Sequence, residues 1–174
     1  VTDLSAAQAA KVTIVGTGNG AVTVGVKSAS TVGQVDTVTL AIDDGASAVA
    51  DLVVTAPVST GVENLVINAA ADAVSISALT SAASLTSVDI NATHASGTTT
   101  VTSGAIAWGA NSSINASDST AAVEIVNTAA TANAVAITGG SGNDLITAAT
   151  AVGDIIDGGA GIDVITVSDA GATG

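Results

Sequence analysis

The sequence contains no cysteine, methionine, phenylalanine or tyrosine, and only one tryptophan, one proline and one histidine among 174 residues. Without cysteine there is no disulfide framework, and without rings there is no aromatic core. The missing cysteine fits the cytosol as well as an extracellular space. Positive charge is nearly absent: Lys11 and Lys27 stand against 15 acidic residues, for a formal charge of −13. Phosphate recognition needs clustered basic side chains, so nucleic acid is excluded as a partner and an anionic membrane surface is disfavoured. Cations are the natural counterpart of such a chain. Long apolar runs are missing too, and a run of about 18 would be needed for a spanning helix, so no membrane insertion is expected. No basic stretch followed by an apolar one opens the sequence, and a chain beginning at Val1 without Met reads as a processed product or a piece of something longer.

What is present is small and β-branched. Hydrophobic residues make up 48% of the chain. Disordered chains combine high charge with low hydrophobicity, so this one is expected to fold. Short runs of strand-forming residues recur at 12–15, 21–26, 37–42, 52–55, 64–68, 73–77, 87–91, 98–103, 112–117 and 122–127, then at 134–138, 144–147, 154–157 and 163–167. The spacing between them leaves no room for helices of ordinary length and tightens toward the C-terminus. Within the runs, polar and apolar residues alternate, as in Val88-Asp-Ile-Asn91, so one face is buried and the other wet.

Two all-β architectures satisfy this pattern, an antiparallel sandwich and a parallel solenoid. The hairpin pairs Asn19-Gly20 and Asp44-Gly45 both fall in the first 45 residues, and the remaining turns are rich in Ala, Ser, Thr and Gly, as when coils stack. The preferred reading is an all-β, right-handed parallel β-helix, or β-solenoid, ending in a β-roll. Seven coils of two strands would give a rod of ~34 Å at ~4.8 Å per coil. The chain divides into an N-terminal β segment, residues 1–45, forming a cap or a hairpin, a solenoid over 46–136, and a repeat region over 137–174.

That last region carries the chemistry. Gly139-Gly-Ser-Gly-Asn-Asp-Leu-Ile-Thr147 and Gly158-Gly-Ala-Gly-Ile-Asp-Val-Ile-Thr166 both match the nonapeptide Gly-Gly-x-Gly-x-Asp-x-U-x, with U a large aliphatic residue. A degenerate copy between them, residues 150–157, keeps Asp154 and Ile156. Glycines at the first, second and fourth places permit a tight turn that gathers carbonyl oxygens, and Asp at the sixth adds a carboxylate. A hard cation such as Ca²⁺ takes 6–8 oxygen ligands of this kind. With two nonapeptides per coil, Asp144 and Asp163, 19 residues apart, fall on one edge, with Ca²⁺ expected between Gly139, Gly140, Ser141, Gly142, Asn143 and Asp144 below and Gly158, Gly159, Ala160, Gly161 and Asp163 above. Asp154 falls on the opposite edge, where the stacked partner at 131–135 has no carboxylate, so that side is expected to be weak or empty. Asp157 either lends an oxygen to the first edge or is solvated. Affinity in the ~10⁻⁴–10⁻³ M range of extracellular modules is expected.

The C-terminal third resembles the calcium-binding β-roll of RTX (repeats-in-toxin) proteins. The segment from about 60 to 168 is similar to RTX-type surface-layer proteins of Gram-negative bacteria, through Gly61–Asn68 (GVENLVIN), Leu85–Asn91 (LTSVDIN), Ile137–Asp144 and Ala151–Asp163. The resemblance implies a secreted, extracellular, structural protein without catalysis, self-associating with Ca²⁺ into a lattice or filament at the cell surface, with cell-surface polysaccharide as a further partner. The alternative is a non-catalytic RTX module of an adhesin or of an extracellular polysaccharide-acting enzyme. Elsewhere, Gly16-Thr-Gly-Asn-Gly20 lacks dinucleotide-loop spacing and reads as a turn. His94, with no second His or Cys, reads as a surface residue, and Trp108 as packed in the solenoid or at a lateral contact.

Overall fold

The alternation of β-branched and polar residues produces strands that bury every second side chain, and these strands stack in parallel rather than folding back on one another. The computed structural model describes residues 4–9, 12–15, 20–21, 35–43, 52–55, 57–58, 61–81, 85–103, 106, 108–128, 133–150 and 153–169. One sheet stacks β1 (Val12–Val15), β3 (Thr37–Asp43), β6 (Asn64–Ala69), β8 (Ser87–Ala92), β10 (Ser112–Asn115), β12 (Val135–Thr138) and β14 (Ile155–Asp157) in that order. The other stacks β2 (Gly20–Ala21), β4 (Leu52–Thr55), β7 (Val74–Ser81), β9 (Thr98–Ser103), β11 (Ala122–Asn127), β13 (Leu145–Thr150) and β15 (Val164–Asp169), with β5 (Pro57–Val58) beside β7. Every pairing between these strands is parallel. Apart from β5, successive strands alternate between two sheets, each seven strands deep along its path, which is a parallel β-solenoid. No helix among the described residues is long and apolar enough to cross a membrane.

The coil shortens along the chain. Thr37 pairs with Asn64, 27 residues on, whereas Ala136 pairs with Ile155 and Leu145 with Val164, each 19 residues on. The narrowing was legible as a tightening of strand spacing. The hairpin reading of the first segment is corrected: β1 pairs with β3 and β2 with β4, so β1 and β2 belong to different sheets. Parallel stacking packs the half-buried Val12 and Ile14 against the core, an apolar cover that a free-standing hairpin lacks. Asn19, Asp44 and Gly45, Lys11 and Lys27, and most of the 21–26 run lie outside the described residues.

Inward side chains form rows running up the stack. Val38, Leu65, Val88, Ile114 and Ile137 occupy one row, each at most 2% exposed, and Ile76, Val101, Ile125 and Ile146 face them from the second sheet. Trp108 lies in this core, and its Nε1–H donates to Asn127 Oδ1 at 3.2 Å, which also accepts from Ser103 Oγ at 2.7 Å. The outward face of the first sheet is polar and laddered: Ser87 Oγ donates to Asn64 Oδ1 and Asn91 Nδ2 to Asn68 Oδ1, both at 2.8 Å. Asn91→Ala removes one half-buried rung of that ladder. The expected cost is about 0.5–1.5 kcal/mol in urea unfolding, and a larger loss would show that Asn91 also shapes the turn behind it.

In the last coil the rows run out of cover. Ile165 and Val167 continue the inward positions of Ile146 and Ala148, yet they are 44% and 53% exposed. The other end differs: Ala9, in the short helix α1 (Ala6–Ala9), is fully buried in the core cluster.

Candidate metal centre

Two loops of the same design join the sheets near the C-terminus, one from β12 to β13 (residues 139–144) and one from β14 to β15 (residues 158–163). They lie directly on one another. Gly139 N–H donates to Asp157 O at 2.8 Å, Ala160 N–H to Gly140 O at 2.9 Å, Ile162 N–H to Asn143 Oδ1 at 2.9 Å and Val164 N–H to Asp144 O at 2.8 Å. Below, Ser141 N–H reaches Ser119 O at 2.9 Å. Such close approach explains the glycines. A Cβ on Gly139 would overlap Gly158 O, one on Gly159 would overlap Gly140 O, and one on Gly161 would overlap Gly142 O. Gly159 and Gly161 also hold φ of +86° and +120°, which L side chains rarely adopt.

The carboxylates are gripped by main-chain amides. Asp144 is 2% exposed; its Oδ2 accepts from Gly140 N–H at 2.6 Å and its Oδ1 from Val123 N–H, one coil below, at 2.8 Å. Asp163 Oδ1 accepts from Asp144 N–H at 2.9 Å. On the opposite edge Asp154 Oδ1 accepts from Val135 N–H at 2.7 Å. In each case an acid just before a strand holds the amide at the corresponding place one coil earlier.

The same device recurs outside the repeat region. Glu63 Oε2 accepts from Asp36 N–H at 2.8 Å, Ser119 Oγ from Ala92 N–H at 3.0 Å and Thr99 Oγ1 from Val74 N–H at 3.4 Å. Sequence reasoning gave Asp144 and Asp163 a cation and missed the amide. A carboxyl or hydroxyl side chain at or just before a strand's first residues was the available signal.

Asp144 and Asp163 therefore share one edge, one coil apart, and Asp154 sits on the other, matching the placement expected from spacing. Asp157 is exposed at the foot of the upper loop, where its Oδ1 accepts from Gly159 N–H at 3.0 Å. Among the described residues no three Asp, Glu or His side chains converge. The groups gathered at the stacked loops are carboxylates, peptide carbonyls, the Ser141 hydroxyl and the Asn143 amide, all hard oxygen donors. A buried carboxylate requires a compensating charge or strong hydrogen bonds. Asp144 has two amide donors, and no Lys or Arg occurs after Lys27. In donor chemistry the loops fit a hard divalent cation.

His94 departs from its expected surface role. It is 5% exposed, with Nδ1 2.9 Å from Ser96 O and Nε2 2.8 Å from Thr99 Oγ1. A carbonyl only accepts, so Nδ1 carries a hydrogen, and in the neutral ring Nε2 accepts the Thr99 hydroxyl. The ring thus braces the turn before β9, which Gly97 closes at φ +91°.

Comparison with family models, with curated proteins and with solved structures finds no match to this chain.

Proposed function

We propose that this chain is a structural segment of a secreted bacterial cell-surface assembly, a surface-layer lattice component whose β-solenoid is stabilised by Ca²⁺ and assembles through contacts between copies. The reading assigns it no catalytic step. The observation that carries it is the stacking, in register and 19 residues apart, of two Gly-Gly-x-Gly-x-Asp loops around a buried Asp144. Asp144 and Asp163, with peptide carbonyls of 139–143 and 158–162, would hold the ion. A bound cation would neutralise charge between successive coils. The chain's own residues set the spacing, through glycines that admit the close approach and aspartates that fix the amides of the coil below. A net charge of −13 supports the same reading, since stacking acidic coils without counter-ions is self-repelling.

The alternative, an RTX module that binds polysaccharide for an adhesin or an enzyme, is less well supported. Sugar-binding faces commonly use an exposed aromatic ring, and Trp108, the only aromatic residue, is buried. Far-UV circular dichroism decides the calcium dependence. Strand signal is expected to fall in EDTA and return at millimolar Ca²⁺, and identical spectra under the two conditions overturn it. Negative-stain images test the assembly: ordered sheets or filaments with Ca²⁺ support a lattice, and a persistent monomer that binds on a glycan array supports the module.

A further inference from the structure

A second pair of acids lies far from the repeat loops, at the starts of β3 and β6. Asp36 and Glu63 stack one coil apart: Glu63 Oε2 takes the Asp36 N–H at 2.8 Å, while Asp36 O takes the N–H groups of Glu63 and Asn64 at 3.1 and 3.0 Å. Because Glu63 grips the amide of the very residue that carries the other carboxyl group, covalent reach keeps the two acid groups within about 7 Å. Asp36 is only 8% exposed. Its Oδ2 is buried with no hydrogen-bond partner, and among the described residues no other buried side-chain nitrogen or oxygen is left so.

The comparison with Asp144 is informative. Both acids precede a strand and both are buried, but Asp144 has an amide donor on each oxygen and Asp36 has a bare one. Leaving a buried acceptor unmet costs about 1–3 kcal/mol, more when it is charged, and a second carboxylate nearby adds repulsion. A small hard cation removes both penalties at once. Two carboxylates supply oxygen donors of the kind such an ion takes, at ~2.3–2.6 Å per ligand, with water completing its shell.

We propose that Asp36 and Glu63 form a separate divalent-cation site, of the Ca²⁺ class, that ties the β3 coil to the β6 coil, with Asp36 Oδ2 as the buried ligand. The site does not depend on the reading of the repeat loops. The ion joins coils at a 27-residue step, far from the 19-residue steps of the repeat loops.

The test counts calcium ions bound per 174-residue chain by equilibrium dialysis and titration calorimetry, using Ca²⁺ alone as the probe. Asp36→Asn is expected to lose one equivalent and keep the rest, and Asp144→Asn to lose a different one. Unchanged stoichiometry in Asp36→Asn overturns this site while leaving the loop reading standing. Loss in Asp36→Asn with no loss in Asp144→Asn does the reverse. Should Asp36→Asn fail to fold by circular dichroism, Glu63→Gln serves, because its amide oxygen can still accept the Asp36 N–H. That variant is expected to weaken one equivalent at least tenfold, and wild-type affinity in it overturns the proposal.

Discussion

Replacing Asp144 by alanine is expected to destabilise the protein by about 2–6 kcal/mol in urea unfolding, the summed cost of stranding two buried amides at about 1–3 kcal/mol each. The amides are those of Val123 and Gly140, and both bonds are buried. A loss of that size is a large part of the roughly 5–15 kcal/mol that holds an ordinary domain together. Asp144→Asn retains one acceptor and turns an NH₂ toward the other amide, so it should fall between wild type and alanine. Asp163→Ala should cost less than Asp144→Ala, because the bond it makes to the coil below is only partly buried. If Asp144→Ala unfolds within 0.5 kcal/mol of wild type, a range typical of neutral surface changes, the amide clamp contributes nothing.

Gly159→Ala is the second large effect. The substitution places a Cβ on Gly140 O, a backbone atom that cannot rotate away, and it does so at φ +86°. Left-handed backbone costs an L residue about 1–2 kcal/mol by itself. The overlap adds to this by forcing the loops apart and breaking the Ala160 to Gly140 hydrogen bond. Gly153→Ala is the control: its φ is +96°, but the nearest atom to a new Cβ is Ala134 Cβ at 3.4 Å, so only the backbone cost applies. Coils in a stack touch only their neighbours, so the damage should be local. Hydrogen exchange is expected to show β14 and β15 losing protection in Gly159→Ala while β8 and β9 keep theirs. Uniform loss along the chain, or equal effects of the two alanines, would contradict this account.

Much of the architecture could be read from residue order alone. Val88-Asp-Ile-Asn91 alternates, and β8 buries Val88 and Ile90 while Asp89 and Asn91 face outward. The 19-residue repeat of Asp144 and Asp163 translated directly into parallel register, since the spacing of equivalent residues is the length of one coil. Other features were hidden for physical reasons. The helix α1 rests on Ser5 and Gln8, where Ser5 N–H donates to Gln8 Oε1 at 2.9 Å and Gln8 N–H to Ser5 Oγ at 3.3 Å, a reciprocal cap too short to stand out in an Ala-rich stretch. In β5 the leading Pro57 has no N–H to give, which suits a two-residue segment beside β7, off the main stacking path, and no run in the sequence marked it. His94 sits among polar residues and became buried only because the turn folds it onto Thr99. The amide-holding role of the aspartates was invisible because a carboxylate placed for a metal and one placed for an amide occupy the same position in sequence.

The carboxylate and hydroxyl clamps share one direction, with the acceptor in the later coil and the donor in the earlier one, and the Asn143 amide, which accepts from Ile162, runs against them. Assembly is thereby given a preferred heading. Where a carboxylate or hydroxyl clamp is present, a stack growing from its C-terminal end toward its N-terminal end presents the newcomer with an acceptor already in position, whereas growth the other way leaves the fresh layer with a dangling amide until its successor arrives.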